Sequence, residues 1–229
     1  MPSSTLTIQV GQCGNQVGQS ILECLDLNSS SPLYESCPSH FRESPNEKNT
    51  KPIARSILID TEPKVISKCL NPADPYNNNN NDNNDDDDSN KKERGWRYSN
   101  SNASILSQSG CGNNSALGSS YLSNNFSLNE EVLNQIRREY ETNDYTGSIS
   151  IIHSLAGGTG SGLGSSLTSS LRDIYSAKSA LTNTVISPFP TGEVIVQDYN
   201  TLLTLDVLQS DSDGIMWLKN SEVSDICKL

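Results

Sequence analysis

The stretch Ala156-Gly157-Gly158-Thr159-Gly160-Ser161-Gly162 constrains this chain more than any other. It sets four glycines in seven residues between two segments of different periodicity. Upstream, the apolar run 149–155 reads as a buried strand. Downstream, Leu163, Leu167, Leu171, Ile174 and Tyr175 fall on one helical stripe. A strand, a glycine loop and a helix N-terminus make a phosphate cradle. Glycine lets the backbone turn sharply and leaves amide N–H groups uncovered, while the helix dipole adds partial positive charge. The loop holds no lysine, which excludes G-x-x-x-x-G-K-[ST]. Ser165 follows Gly160 and Gly162 where a third glycine would be needed, which excludes G-x-G-x-x-G. Thr159 and Ser161 lie in no G-x-S-x-G elbow, so their hydroxyls read as phosphate donors, not nucleophiles.

The start of the chain repeats this arrangement. Residues 6–10 read as a first strand, Gly11 to Gln16 as a tight loop with Asn15 as N-cap, and Val17, Ile21, Leu22 and Leu25 as a helix face. Two helix N-termini can then address one ligand. Residues 56–60 form a compact apolar run ending on Asp60, with Glu62 two positions on. Carboxylates at the C-terminal edge of a strand face the ligand crevice of an α/β sheet and suit Mg²⁺; the alternative is a solvated strand end. Pro63 blocks a continued ladder.

Further along, residues 109–114 (SGCGNN) form a Gly/Asn loop that taken alone is only a turn. Asn129 is placed to cap a helix with Glu130 and Glu131 in its first turn and Val132, Leu133, Ile136 and Tyr140 on one face. His153 lies on the central strand and reads as a packed, hydrogen-bonded core histidine. A strand over 183–187 ends at Pro188 and Pro190. A helix carrying Tyr199, Leu202, Leu203 and Leu208 follows, then a last strand over 214–218 and the start of another helix at 222–229. Strands and helices alternate six times, which is the pattern of an α/β doubly wound, mostly parallel sheet binding its ligand at the strand C-terminal edge.

Composition excludes several other classes. Only 33% of the 229 residues are hydrophobic, against the usual ~45–50%, and part of the deficit is local. Residues 77–90 are almost pure Asn and Asp, and the patternless stretch 71–107 reads as a disordered low-complexity insert within a single 1–229 domain. The net charge of −11 includes five aspartates of that tract. Such acidity argues against a nucleic-acid surface, which needs clustered Lys and Arg. No apolar run approaches the ~20 residues of a membrane span. The six cysteines form no C-x-x-C pair, and with His40 and His153 they show no zinc spacing. The chain enters a strand pattern without a secretory leader, which points to a reducing, intracellular compartment.

Gly11-Gln12-Cys13-Gly14-Asn15-Gln16 paired with AGGTGSG resembles the tubulin family, and IDTEP (59–63), GCGNN (110–114) and VQDYN (196–200) follow in the family's order. IDTEPKVI and PTGEVIVQDYN look most like delta-tubulin, with gamma-tubulin second. The resemblance covers the N-terminal nucleotide-binding part, ending before the family's central helix and C-terminal domains. It implies a tubulin/FtsZ-type fold that binds GTP or GDP with Mg²⁺. Gly11, Gln12, Cys13 and Gln16 would meet the nucleotide from one side, and Ser154, Ala156, Gly157, Gly158, Thr159, Gly160, Ser161 and Gly162 from the other. Gly112 and Asn113 match the loop that senses the terminal phosphate, and Glu62, with Asp60, matches the magnesium position. Glu193 and Gln197 match positions approaching the ribose; the second is usually a carboxylate in alpha- and beta-tubulins and here is an amide, a neutral and weaker acceptor. Asn220 matches the asparagine that hydrogen-bonds guanine.

The implied partners are other tubulin subunits and microtubules, with no nucleic acid and no membrane. The implied setting is the cytoplasmic cytoskeleton, at centrioles and basal bodies. Whether the chain is an enzyme stays open. No residue is placed to orient an attacking water, and the family takes that acidic residue from a loop of the adjoining subunit. The alternatives are a gamma-tubulin-like nucleator and a non-polymerising GTP-binding adaptor.

Overall fold

The apolar runs become strands of one sheet. The computed structural model describes residues 4–27, 39–43, 51–70, 95–143, 145–175, 178–190, 192 and 194–228. Among them the strands are β1 (Ser4–Val10), β2 (Phe41–Arg42), β3 (Ile53–Ala54), β4 (Ser56–Asp60), β5 (Ala103–Ile105), β6 (Thr146–Ser154), β7 (Ala180–Ser187) and β8 (Gly214–Lys219). The helices are α1 (Gly11–Leu27), α2 (Pro63–Leu70), α3 (Ser115–Ser123), α4 (Phe126–Glu141), α5 (Gly164–Tyr175), α6 (Gln197–Asp211) and α7 (Asn220–Ile226).

Six strands form one sheet in the order β5-β4-β1-β6-β7-β8, with every neighbouring pair parallel. The expected α/β fold is therefore present, with β2 and β3 forming a separate antiparallel ribbon. Strand order reverses between β1 and β6. In such a sheet the crevice opens beyond the strand C-termini at the reversal, and both glycine segments leave the sheet there.

Among the described residues two larger cores cover the sheet, beside a small third of Leu155, Val185 and Leu208. On one face Leu6, Ile8, Ile57, Ile149 and Ile151 pack with Val132 and Ile136 of α4 and Leu167 and Leu171 of α5. On the other, Leu58 and Ala54 pack with Leu22 of α1 and Val65 and Ile66 of α2. A strand whose two faces are both covered reads as a continuous apolar run, as β4 does.

Several expectations are corrected. Gly11 to Gln16 is not a loop: Gly11 takes a left-handed φ of +74°, a conformation that glycine adopts without cost, and α1 starts at that residue. Asn15 is consequently no cap but lies fully buried inside α1. Its side chain donates to Gly11 O at 2.9 Å and to Ile59 O at 3.1 Å, tying α1 to β4. Nor does Asn129 cap a helix. α4 begins three residues earlier, where the Asn125 side chain accepts from Leu128 N at 3.3 Å. Pro63 does more than stop a strand, since it opens α2 at a position that needs no N–H.

The insert expected over 71–107 lies partly outside the described residues. From Gly95 onward, however, the chain belongs to the fold. Trp96 and Tyr98 are buried beside Phe41, with the Trp96 and Tyr98 rings edge-on at 4.9 Å. Ala103–Ile105 adds strand β5 to β4. The Ser- and Asn-rich composition hid two aromatics that anchor this segment.

Helix α6 also departs from its apolar pattern. Tyr199, Leu202 and Leu203 are exposed, and Gln197, Asn200, Thr204 and Leu208 face inward.

Candidate functional site

Beyond the C-terminal ends of β1 and β6 lies a cavity of about 440 Å³. One wall is the start of α1, with Gly11, Gln12, Cys13 and Gln16. The opposite wall is Ser154, Gly157, Gly158, Thr159 and Gly160, and a third side is Ser109, Cys111, Gly112 and Asn113. Asp60 and Glu62 line it from the end of β4. The lining carries no lysine or arginine among the described residues, so an anion there would be held by backbone amides and helix dipoles.

The glycine stretch is helical from its middle. Gly158 has φ −67°, and Thr159–Leu163 forms a π-helical turn running into α5. A π turn widens the first turn of a helix, a device frequent at functional sites. Close approach requires glycine at position 162, and at position 118 of the facing α3. A Cβ on Gly162 would lie 1.9 Å from Ser115 O, and one on Gly118 would lie 2.2 Å from Gly158 O. These contacts lock α3 against the loop. Gly157 differs, because a Cβ there would meet no heavy atom within 4 Å.

The hydroxyls divide in the same way. Thr159 Oγ1 lies 2.6 Å from Thr61 Oγ1 and donates to Cys111 Sγ at 3.4 Å, joining three walls at the cavity. Ser161, fully buried, turns its hydroxyl back to Gly157 O. Ser161 and Gly162 thus pack the loop and do not line the cavity.

Asp60 is 3% exposed; its Oδ1 accepts from Thr61 N at 2.8 Å, and its Oδ2 has no partner among the described residues. Burial pushes its carboxyl up to about 6, with the Glu62 charge adding to the rise and the Thr61 and Glu62 amides opposing it. Glu62 packs against Gly110, where a Cβ would lie 2.3 Å from its Oε1. A buried acid with a spare oxygen, beside a second acid, is a donor set for a hard cation. Mg²⁺ commonly takes one or two carboxylates, with water and phosphate oxygens completing its shell. Burial pushes the Cys13 thiol up to about 11, which keeps it protonated near neutral pH, whereas the thiolate is the attacking form.

His153 is the buried core histidine expected. Its Nε2 lies 3.3 Å from Asn183 Oδ1, and burial pushes its imidazole down to about 4. The positions expected for base and ribose are less assembled. Gln197 opens α6 and donates to Phe189 O at 3.2 Å, and Asn220 opens α7. Neither is among the cavity-lining residues, and Glu193 lies outside the described residues. Ala156 stands just behind the wall, its N donating to Ser154 Oγ at 3.1 Å.

One residue of the site escaped sequence reasoning. Asn200, buried in α6, donates to Asn113 O at 2.8 Å and to Ala156 O at 2.7 Å, and accepts from Ser115 N at 3.2 Å. The motif VQDYN contains it, but nothing in its neighbourhood along the chain reveals contacts 44 and 87 positions away.

Comparison with known proteins agrees with this fold. The family model described as "Tubulin/FtsZ family, GTPase domain" matches residues 4–228. The chain is 38% identical over 235 residues to the tubulin delta chain of Homo sapiens, 37% over 235 residues to that of Mus musculus and 36% over 234 residues to that of Canis lupus familiaris. Each alignment covers 98% of this chain and 47% of the relative. The chain therefore spans about half the length of the curated relatives it matches.

Proposed function

Because the chain belongs to the Tubulin/FtsZ family of GTPase domains, we propose that its cavity binds the phosphates of GTP or GDP. The observation that carries the reading is the meeting of two helix N-terminal segments, Gly11–Cys13 and Gly157–Gly160, across one cavity with Asp60 and Glu62 at its side. Uncovered amides and helix dipoles supply the positive potential that a lysine supplies in other phosphate loops. Asp60 and Glu62 would hold Mg²⁺, which when bound neutralises phosphate charge. The spare Asp60 oxygen and its unfavourable burial as a bare anion both fit that role. Gln197 and Glu193 are proposed for the ribose and Asn220 for guanine, whose edge an amide meets as both donor and acceptor.

The likeness to tubulin delta chains supports a cytoskeletal role alongside other tubulin subunits in microtubules, in the cytoplasm at centrioles or basal bodies. Turnover would draw its acidic, water-orienting residue from a neighbouring subunit. Asp60 and Glu62, the acids lining this cavity among the described residues, would be taken up by the metal.

The test is GTP binding by the purified chain with Mg²⁺, comparing Gly157→Asp with Gly157→Asn. Position 157 has room for a side chain without displacing backbone, so the pair differs chiefly in charge. The carboxylate is expected to weaken binding by at least about tenfold through repulsion of phosphate, and the amide much less. Equal affinities of the two variants, or no binding by a folded wild type, would overturn the reading.

A further inference from the structure

We propose that Asn200 is a positioning residue that sets the gap between the two loops flanking the phosphate cavity. The proposal rests on the reading of that cavity as a phosphate site. The first loop carries Gly112 and Asn113, both with left-handed backbone, at φ +52° and +56°. Glycine and asparagine adopt that conformation more readily than other residues, so what remains to be fixed is where the turn sits. The second loop begins at Ala156 and continues into Gly157 and Gly158.

One side chain joins them. Asn200 uses both N–H donors on the carbonyls of Asn113 and Ala156, and its oxygen on the first amide of α3. All three partners are backbone groups: Asn113 lines the cavity, Ala156 directly precedes the lining Gly157, and Ser115 opens α3 two residues beyond Asn113; Asn200 itself is 4% exposed. An amide that donates twice and accepts once matches this set. Aspartate would turn oxygen toward two carbonyl oxygens, and serine reaches fewer partners.

The consequence is specific to phosphate. Backbone amides hold a phosphate only at the spacing the loops give them, so loosening the clamp reduces what each phosphate contributes and spares contacts elsewhere on the nucleotide. The position of α6 is thereby coupled to the width of the phosphate site, and anything that shifts α6 changes nucleotide affinity.

The experiment measures GMP, GDP and GTP affinities by competition, with Mg²⁺, for wild type, Asn200→Asp, Asn200→Ser and Thr204→Val. Thr204 is a control in the same helix; its hydroxyl donates to Asn200 O at 2.7 Å. In wild type, affinity should rise with each phosphate. In Asn200→Asp the total gain from GMP to GTP is expected to shrink about tenfold while GMP affinity changes by less than about twofold. Asn200→Ser should fall between, and Thr204→Val should keep the wild-type gain. A merely structural role would lower all three affinities together. If Asn200→Asp fails to fold, as judged by its thermal transition, the smaller neutral serine variant carries the test. A wild type with no gain from GMP to GTP overturns the phosphate reading and this proposal with it. A wild type with the gain, retained in the folded Asn200 variants, overturns only the proposal.

Discussion

Two buried groups should give the protein opposing responses to acid. His153 is fully buried beneath the glycine turn and held down to about 4 from an ordinary 6.5. Between those values the unfolded chain takes up a proton that the folded one refuses. Its contribution to stability is therefore complete above pH 6.5 and is lost as pH falls toward 4. Asp60 is displaced the other way, from 3.8 to about 6. The folded protein keeps its proton where the unfolded chain has released it, so its contribution is complete below pH 3.8 and lost as pH rises through 6. At about 1.4 kcal/mol per pKa unit, each effect is on the order of 3 kcal/mol.

In the wild type, free of nucleotide and metal, the two oppose each other. Asp60→Asn keeps the acceptor for Thr61 N and removes one; His153→Gln keeps a donor toward Asn183 and removes the other. Urea unfolding followed by tryptophan fluorescence, with Trp96 buried at 2% exposure, gives each variant's stability relative to wild type from pH 4 to 7.5. Relative to wild type, Asp60→Asn should be most stabilised near pH 7, and its advantage should vanish toward pH 4. His153→Gln should gain on wild type as pH falls. Taking differences cancels the other carboxylates. Difference curves that stay flat, or that slope the same way, would refute the burial argument for one or both groups.

Other tests are simpler. Gly162→Ala places a methyl group against the Ser115 carbonyl, where backbone has to yield, and should cost about 1–3 kcal/mol of stability and weaken GTP binding. Glu139, buried at the centre of contacts from Arg42 at 2.8 Å and Asn102 at 2.7 Å, leaves an uncompensated arginine when replaced by alanine. Glu139→Ala should lose about 3–5 kcal/mol in urea titrations. Asn125→Ala should cost about 1 kcal/mol as a lost helix cap, whereas Asn129→Ala should cost less; the reverse order in thermal melts would restore Asn129 as the cap.

Much of the site was legible because its signals are short. A strand running into glycine and then into a helical stripe is written within about twenty residues, and it predicts amides at a helix N-terminus wherever it occurs. Asp60 and Glu62 were legible as the end of an apolar run. What was misread is what depends on partners far along the chain. Asn15 looked like a cap because asparagine is a favoured N-cap residue. Only the adjacent β4 carbonyl and the left-handed Gly11 make it an interior bridge. Of the residues the sequence places on that helix, Leu208 is buried but Tyr199, Leu202 and Leu203 are not, and Gln197, Asn200 and Thr204 complete the buried stripe of α6. A polar inward face follows from loops whose carbonyls need donors, and no periodicity announces that.

The sequence by itself determined the alternation of strands and helices, the family, and two candidate cradles for an anion, because glycine conformation and apolar periodicity act over a few residues. The tertiary structure alone decided that the cradles meet across one cavity, since that follows from strand order β4-β1-β6 in the sheet. It also decided which members of the glycine stretch face the cavity and which, like Ser161 and Gly162, pack against α3. Burial of Asp60 and His153 and the grip of Asn200 on two loops belong to the same level. Each arises from groups brought together across the sheet, where desolvation and unsatisfied carbonyls, not local propensity, decide what a side chain does.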